Sequence, residues 1–167
     1  LSGGEGDDIL VANTGAEARN LKYFAGNGHW YELIRVESGW SSAVADAENR
    51  TVAGQPGYLV TITSAAEQEF INRSFGDLPY TWGGATDMAQ EGTWKWVAGP
   101  EAGTVFYVTG APIQAGFSAW DSTYAEPNNV AGGENHLQLG WGGASNTWND
   151  IGPYYDANGF TTQFALI

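Results

Sequence analysis

Polar and apolar positions change rhythm several times along the chain. His29-Trp30-Tyr31-Glu32-Leu33-Ile34-Arg35 is aromatic and partly alternating, which predicts a strand. Trp40, Ala43, Val44 and Ala47 then recur at helical spacing, predicting a helix over 40–50 with Ser38 or Ser41 as its cap. Tyr58-Leu59-Val60-Thr61-Ile62 is rich in β-branched residues and predicts a short strand. It runs into Ser64-Ala65-Ala66-Glu67, a capping-box pattern that opens a second helix reaching about Phe75. From Tyr80 onward short strand patterns alternate with long loops rich in glycine and asparagine. The order of strand, helix, strand, helix, then strands and loops predicts an α+β fold.

The composition fits this picture. Of 167 residues 43% are hydrophobic and 14% aromatic, enough for one compact domain with a real core. Twenty-four glycines and eight tryptophans favour turns and irregular loops over a helical bundle. No apolar run approaches the roughly 20 residues of a membrane span, so direct membrane insertion is not expected. No charged-then-apolar leader opens the sequence, and any export signal is expected outside this segment.

Nineteen acidic and six basic residues give a formal charge of −13. Such a surface repels phosphate backbones, so nucleic acid is not an expected partner. Acidity by itself serves solubility, including in salt, but carboxylates can also gather around a hard cation. Cysteine is absent, which removes disulfides, thiolate zinc sites and cysteine nucleophiles together.

Leu1-Ser2-Gly3-Gly4-Glu5-Gly6-Asp7-Asp8-Ile9-Leu10 resembles one unit of the RTX nonapeptide repeat, with Gly3, Gly4, Gly6, Asp8 and Leu10 on the repeat positions. One unit cannot build a β-roll, because each turn needs neighbours to bury its face. Residues 1–26 are therefore expected to be the end of a repeat region and a connector. The resemblance implies a longer bacterial protein, such as an adhesin, exported by type I secretion to the cell surface or medium.

Residues 27–167 resemble the C-type lectin-like fold. Trp82-Gly83-Gly84-Ala85 stands where that family has its Trp-Ile-Gly-Leu signature, and Trp94-Lys95-Trp96 matches the aromatic pair of the next strand. Glu126-Pro127-Asn128, Glu134 and Trp148-Asn149-Asp150 follow in the order and spacing of sugar-binding members. The resemblance implies two helices, small antiparallel sheets and a long Ca2+-binding loop. It also implies a cis bond before Pro127, which turns the Glu126 and Asn128 carbonyl groups towards one ion.

The chemistry of these residues agrees. Ca2+ takes about 6–8 oxygens, and Glu126, Asn128, Glu134, Asn149 and Asp150 offer only oxygen ligands. With the Asp150 carbonyl they supply about six, leaving two adjacent places for a vicinal sugar diol. Glu126 and Asn128 would each also hydrogen-bond a sugar hydroxyl, one accepting and one donating. The Glu/Asn order resembles binders of mannose- and fucose-type sugars, whereas galactose binders usually carry Gln-Pro-Asp. Fucosylated or mannosylated cell-surface glycans are the expected partners.

Asp87 and Glu91, four residues apart, match the family's auxiliary Ca2+ pair, with Asn129, Glu134 and Asn135 completing a second set; a pair of ordinary surface acids is the alternative. Trp148 is expected in the core. Trp120, Tyr124, Trp141 and Tyr154 are aromatic candidates for contact with a sugar. Family cysteines are replaced by Ala47, His136 and Tyr154. His29 and His136 have no carboxylate partner pattern and do not suit zinc or acid–base chemistry.

Three other functions are weighed. A protein- or peptide-binding domain on the same fold is the main alternative. Ice binding would need a flat repetitive face, which the sequence does not reveal. A glycosidase dyad of Asp121 and Glu126 is not expected, because Glu126 is better explained as a Ca2+ ligand, and no other enzyme motif is present.

Overall fold

The computed structural model describes residues 20–36, 39–111, 115–130, 132–141, 146–153 and 164–167. The repeat-like residues 1–10 and Tyr154 lie outside these, as does Ser38. The fold is the expected α+β one. Strands β1 (Lys22–Phe24) and β2 (His29–Tyr31) form an antiparallel hairpin, and β4 (Thr51–Val52) and β5 (Gln55–Pro56) form another. The main sheet runs β10 (Thr147–Ile151), β9 (His136–Trp141), β6 (Thr81–Thr86), β11 (Phe164–Leu166), β3 (Leu33–Arg35). Strand β7 (Thr93–Trp96) branches from β6 and carries β8 (Val105–Val108) on its far edge.

β11 lies parallel to β6 and antiparallel to β3, so the last strand sits inside the sheet between these two. The expected connector is partly structured, since β1 falls within it and Leu21 is only 6% exposed. The stretch 29–35 is two strands in two sheets. Glu32 separates them by exchanging backbone hydrogen bonds with Ile167 and pairing with Arg50 at 3.1 Å.

The first helix, α1, spans Trp40–Glu48 and buries Trp40, Ala43 and Ala47, as its periodicity predicts. Its N-cap is Gly39 without a side-chain cap, and Ser41 lies inside the helix. The second, α2, spans Ala65–Phe75 behind Ser64, whose hydroxyl accepts the Glu67 N–H at 3.2 Å. Only this half of the capping box forms. The Glu67 carboxylate instead accepts the Tyr31 hydroxyl at 2.6 Å and the Thr63 N–H at 2.8 Å.

Residues Tyr58–Ile62 are not a strand. Val60 donates to the Leu166 carbonyl and accepts from Gly84, bonding once to each side without starting a ladder. This crossing explains Gly84, where a Cβ would stand 2.5 Å from the Leu59 carbonyl oxygen, while one on Gly83 would stand 2.7 Å from Leu137 Cδ2. The Gly83 carbonyl receives the Trp40 indole N–H at 2.9 Å.

The core has two parts. One gathers Trp94, Trp96, Phe106, Leu137, Leu139 and Trp148 with Phe70 and Ile71 of α2. The other gathers Ile34, Trp40, Ala47, Leu59, Trp82 and Ile151. Ala47 and His136, at family cysteine positions, are both buried, and the His136 ring packs 4.7 Å from Trp40. Close packing occupies the space of a bridge.

Candidate functional site

Two elements bring the acidic and amide side chains together. Strand β10 carries Trp148, Asn149 and Asp150. Trp148 is wholly buried and its indole N–H reaches Gln68 of α2 at 2.9 Å, as its expected core role requires. The second element is the segment 119–130. Ala119 and Asp121 bond to the Trp148 backbone, each at 2.9 Å, so this loop is laid directly along β10.

Asp121 organises the loop. Its Oδ1 accepts the N–H groups of Thr123 at 2.7 Å and Tyr124 at 3.3 Å, and its carbonyl accepts the Glu126 N–H at 2.9 Å. Its Oδ2 lies 2.9 Å from the Thr147 hydroxyl. Burial works against its charge, but these hydrogen bonds outweigh that and hold its carboxyl below its ordinary value. A carboxylate so fully engaged suits anchoring, not the proton sharing of a glycosidase dyad. Its loop role was missed in the sequence, although Asp121-Ser122-Thr123 carries the local signal of an Asx turn.

Glu126 is 8% exposed, and the Glu126–Pro127 peptide is cis, as the resemblance implies. Its Oε2 is buried without a hydrogen-bond partner. Burial first, then the neighbouring Asp150 and the charge of Glu134, push its carboxyl well above the usual range. Acidic groups are thus gathered where water hardly reaches, and Glu126 keeps its proton there until something offsets the charge.

The other residues surround it. Asp150, 1% exposed, accepts the N–H groups of Asn128 at 2.9 Å and Asn129 at 2.7 Å. Glu134 Oε2 accepts the Val130 N–H at 2.7 Å, and Asn128 Oδ1 accepts the same N–H at 3.1 Å. Asn149 donates Nδ2 to Gln138 on β9 at 3.1 Å, which assigns Oδ1 as the atom it can offer a cation. Among the described residues no three acidic or histidine side chains close into a finished metal cage. Asp150 and Glu134 are turned onto the backbone amides of residues 128–130. These contacts link Asn128, Glu134 and Asp150, Glu126 feels the charges of Asp150 and Glu134, and Asn149 adjoins Asp150 in β10; all offer hard oxygens, and the unpartnered Glu126 oxygen suits a cation.

The second set is brought together in part. Asp87 is 1% exposed; its Oδ2 accepts the Gly92 N–H at 2.8 Å, while Oδ1 is buried without a partner. Burial, together with the charges of Glu91 and Asp150, raises its carboxyl to about 6 despite the Gly92 bond. Glu91 is exposed, but it lines a cavity of about 390 Å³ with Asn128, Asn129 and Asp150. Asn135 offers its carbonyl to the Thr86 hydroxyl at 2.5 Å, and Asn129 Oδ1 accepts the N–H groups of Gly133 and Glu134 at 2.6 and 3.1 Å.

The aromatic candidates separate. Trp120 packs into the core against Trp94 and Trp148, with centroids 4.7 and 5.7 Å away. Tyr124 is 57% exposed and meets Trp141 at 5.9 Å. His136 is buried without a partner for Nδ1, and burial lowers it to about 4. It stays neutral and structural at pH 7. His29 lies 3.3 Å from the Tyr58 hydroxyl, away from the loop.

Residues 20–157 match the family model of the lectin C-type domain. The chain belongs to the C-type lectin domain family. This C-type lectin domain is 32% identical over 166 residues to halomucin of Haloquadratum walsbyi, a match covering 97% of this chain and 2% of halomucin. It is 30% identical over 149 residues to hepatic lectin of Gallus gallus, covering 86% of this chain and 58% of that protein. The chain therefore spans less than two thirds of either relative. The cow C-type carbohydrate-recognition domain of CD23, crystallised in the presence of a GlcNAc2Man3 oligosaccharide, superposes with a TM-score of 0.56 at 24% identity, covering 82% of this chain and 84% of that one. That likeness shows the shared fold. The family is one of carbohydrate-recognition domains that typically bind Ca2+ and are generally not enzymes. Among the described residues no helix is long and apolar enough to cross a membrane.

Proposed function

We propose that this domain is a Ca2+-dependent carbohydrate-binding module that holds a fucose- or mannose-type sugar through two neighbouring hydroxyls. The observation that carries the reading is the buried, unpartnered Oε2 of Glu126 beside Asp150. A buried carboxylate without a partner is costly, and a divalent ion supplies the missing charge.

Glu126, Asn128, Glu134, Asn149 and Asp150 would hold the ion, and Asp87, Glu91, Asn129, Glu134 and Asn135 a second. Bound Ca2+ supplies coordination places for a vicinal diol. Glu126 would accept a hydrogen bond from one sugar hydroxyl, and Asn128 would donate one to the other through Nδ2. That amide now donates to the Tyr124 carbonyl at 3.2 Å, so sugar would replace a weak internal bond. Asp121 keeps Glu126 in place, and Gln138 fixes the orientation of Asn149.

The setting we propose is a module of a larger secreted bacterial adhesin that meets fucosylated or mannosylated glycans on cell surfaces. The repeat-like residues 1–10 support type I export, and the small share of halomucin covered supports membership of a longer protein. A glycan array read with Ca2+, with excess chelator, and after Ca2+ is restored tests the function. Binding to fucose- or mannose-ended structures that vanishes with chelator and returns with Ca2+ is expected. A blank array for the Ca2+-loaded domain overturns the reading in favour of a protein or peptide ligand.

A further inference from the structure

The loop carrying Glu126 and Asn128 has an apolar residue at each end. Tyr124 is 57% exposed and Val130 is 52% exposed. Tyr124 differs from an incidental surface ring. It stands edge-on to Trp141, with centroids 5.9 Å apart at 70°, and Trp141 in turn lies 5.8 Å from Tyr80 at 34°. The outermost ring of this row is thus braced from within and still largely in water.

Its backbone is held on both sides. The Tyr124 N–H points to Asp121 Oδ1, and its carbonyl accepts Asn128 Nδ2 at 3.2 Å. Only Ala125 separates it from Glu126, so their Cα atoms are within about 7 Å. A planar side chain with two torsions loses little entropy on binding, which makes it a better fixed surface than a long flexible chain.

A pyranose ring carries C–H groups on a face that is apolar compared with its hydroxyl rim. The negative face of an aromatic ring attracts such polarised C–H groups, and contact removes apolar area from water. We propose that Tyr124, braced by Trp141, is the stacking platform for the sugar ring next to the one held at Glu126 and Asn128. The domain then selects oligosaccharides of two or more rings over single sugars. This rests on the sugar-binding reading above and adds a second subsite to it.

The test is calorimetric titration, in Ca2+, of paired probes: methyl α-mannoside against the α-linked mannobioses, and methyl α-fucoside against 2′-fucosyllactose. The unmodified domain is expected to prefer the larger member of the pair it binds by about tenfold, equivalent to about 1.4 kcal/mol. Tyr124→Ala and Tyr124→Leu, which leave no ring, should bring that ratio close to one; Tyr124→Phe should keep it. Equal affinities in the unmodified domain, or a ratio that survives both ring-removing variants, overturn the platform while leaving the primary site standing. Failure of the unmodified domain to bind any probe overturns the sugar-binding reading itself, and the platform with it.

Discussion

The backbone carbonyl of Asp121 accepts the Glu126 N–H at 2.9 Å, closing the loop between them on itself. The Asp121 side chain meanwhile caps Thr123 and Tyr124. Removing that carboxylate leaves loop amides without acceptors, although it touches no ligand itself. Asp121→Ala should destabilise the domain by about 1–3 kcal/mol and weaken Ca2+ about 10–100-fold. Asp121→Asn keeps an acceptor oxygen and should retain most of both. Chemical unfolding and Ca2+ titration of the two variants check this; equal behaviour would remove the anchoring role.

Glu126→Gln separates metal binding from folding. Without Ca2+ the substitution removes a buried carboxylate from beside Asp150, so stability in chelator should be unchanged or higher. With Ca2+ it removes ligand charge, and affinity should fall by about two orders of magnitude. The unmodified domain gains about 2.7 kcal/mol at Ca2+ a hundredfold above Kd, and the variant should lose most of that gain at the same concentration. Thermal unfolding with and without Ca2+ reads both effects.

Proton linkage gives a sign for the pH dependence. Glu126 keeps its proton to higher pH than an ordinary carboxylate because of burial, Asp150 and Glu134. Ca2+ must displace that proton, so affinity should rise with pH above about 5, where ordinary carboxylates are already ionised. Calorimetry in buffers of different ionisation enthalpy should show about one proton released per ion. A flat affinity above that pH would contradict it.

In chelator two further groups oppose each other. Asp87 is raised from 3.8 to about 6, so its contribution is present below the lower value and lost as pH rises through the higher. His136 is lowered from 6.5 to about 4, so its contribution is present above the higher value and lost as pH falls through the lower. Glu126, whose carboxyl is also raised, adds a loss in the same direction as Asp87, so the unmodified domain should lose stability in chelator as pH rises between about 4.5 and 6. Asp87→Asn removes one of the two falling arms, and its profile should be nearly flat across the same window. Denaturant unfolding at several pH values measures the slopes.

Gly84→Ala should be severe for its size. The new Cβ meets the Leu59 carbonyl oxygen at 2.5 Å, where a backbone crossing leaves no room to yield. A loss of about 3 kcal/mol or more is expected in chemical unfolding, against about 1–2 kcal/mol for Gly54→Ala, where the turn is open and only the φ of 82° opposes a side chain.

Elements with local signals were the legible ones. Ser64 and Glu67 announced α2, and the spacing of Trp40, Ala43 and Ala47 announced α1. What escaped depends on partners far along the chain. Val60 sits in a β-branched stretch, yet Leu166 and Gly84 divide its backbone bonds between them. Glu67 serves Tyr31 in place of its own cap because the hairpin packs over the helix start. Glu126, Asn128, Glu134, Asn149 and Asp150 were open to nomination as ligands from the sequence, because hard-oxygen chemistry restricts residue type at each position. The choice of Tyr124 over Trp120 was not, since only packing shows which ring reaches water.

The most direct test of the account is titration of methyl α-mannoside and methyl α-fucoside into the domain, first with Ca2+ and then with excess chelator. The account predicts saturable binding of at least one sugar in Ca2+, none in chelator, and recovery when Ca2+ is restored. Binding that persists unchanged in chelator, or a Ca2+-loaded domain that takes neither sugar, would contradict it.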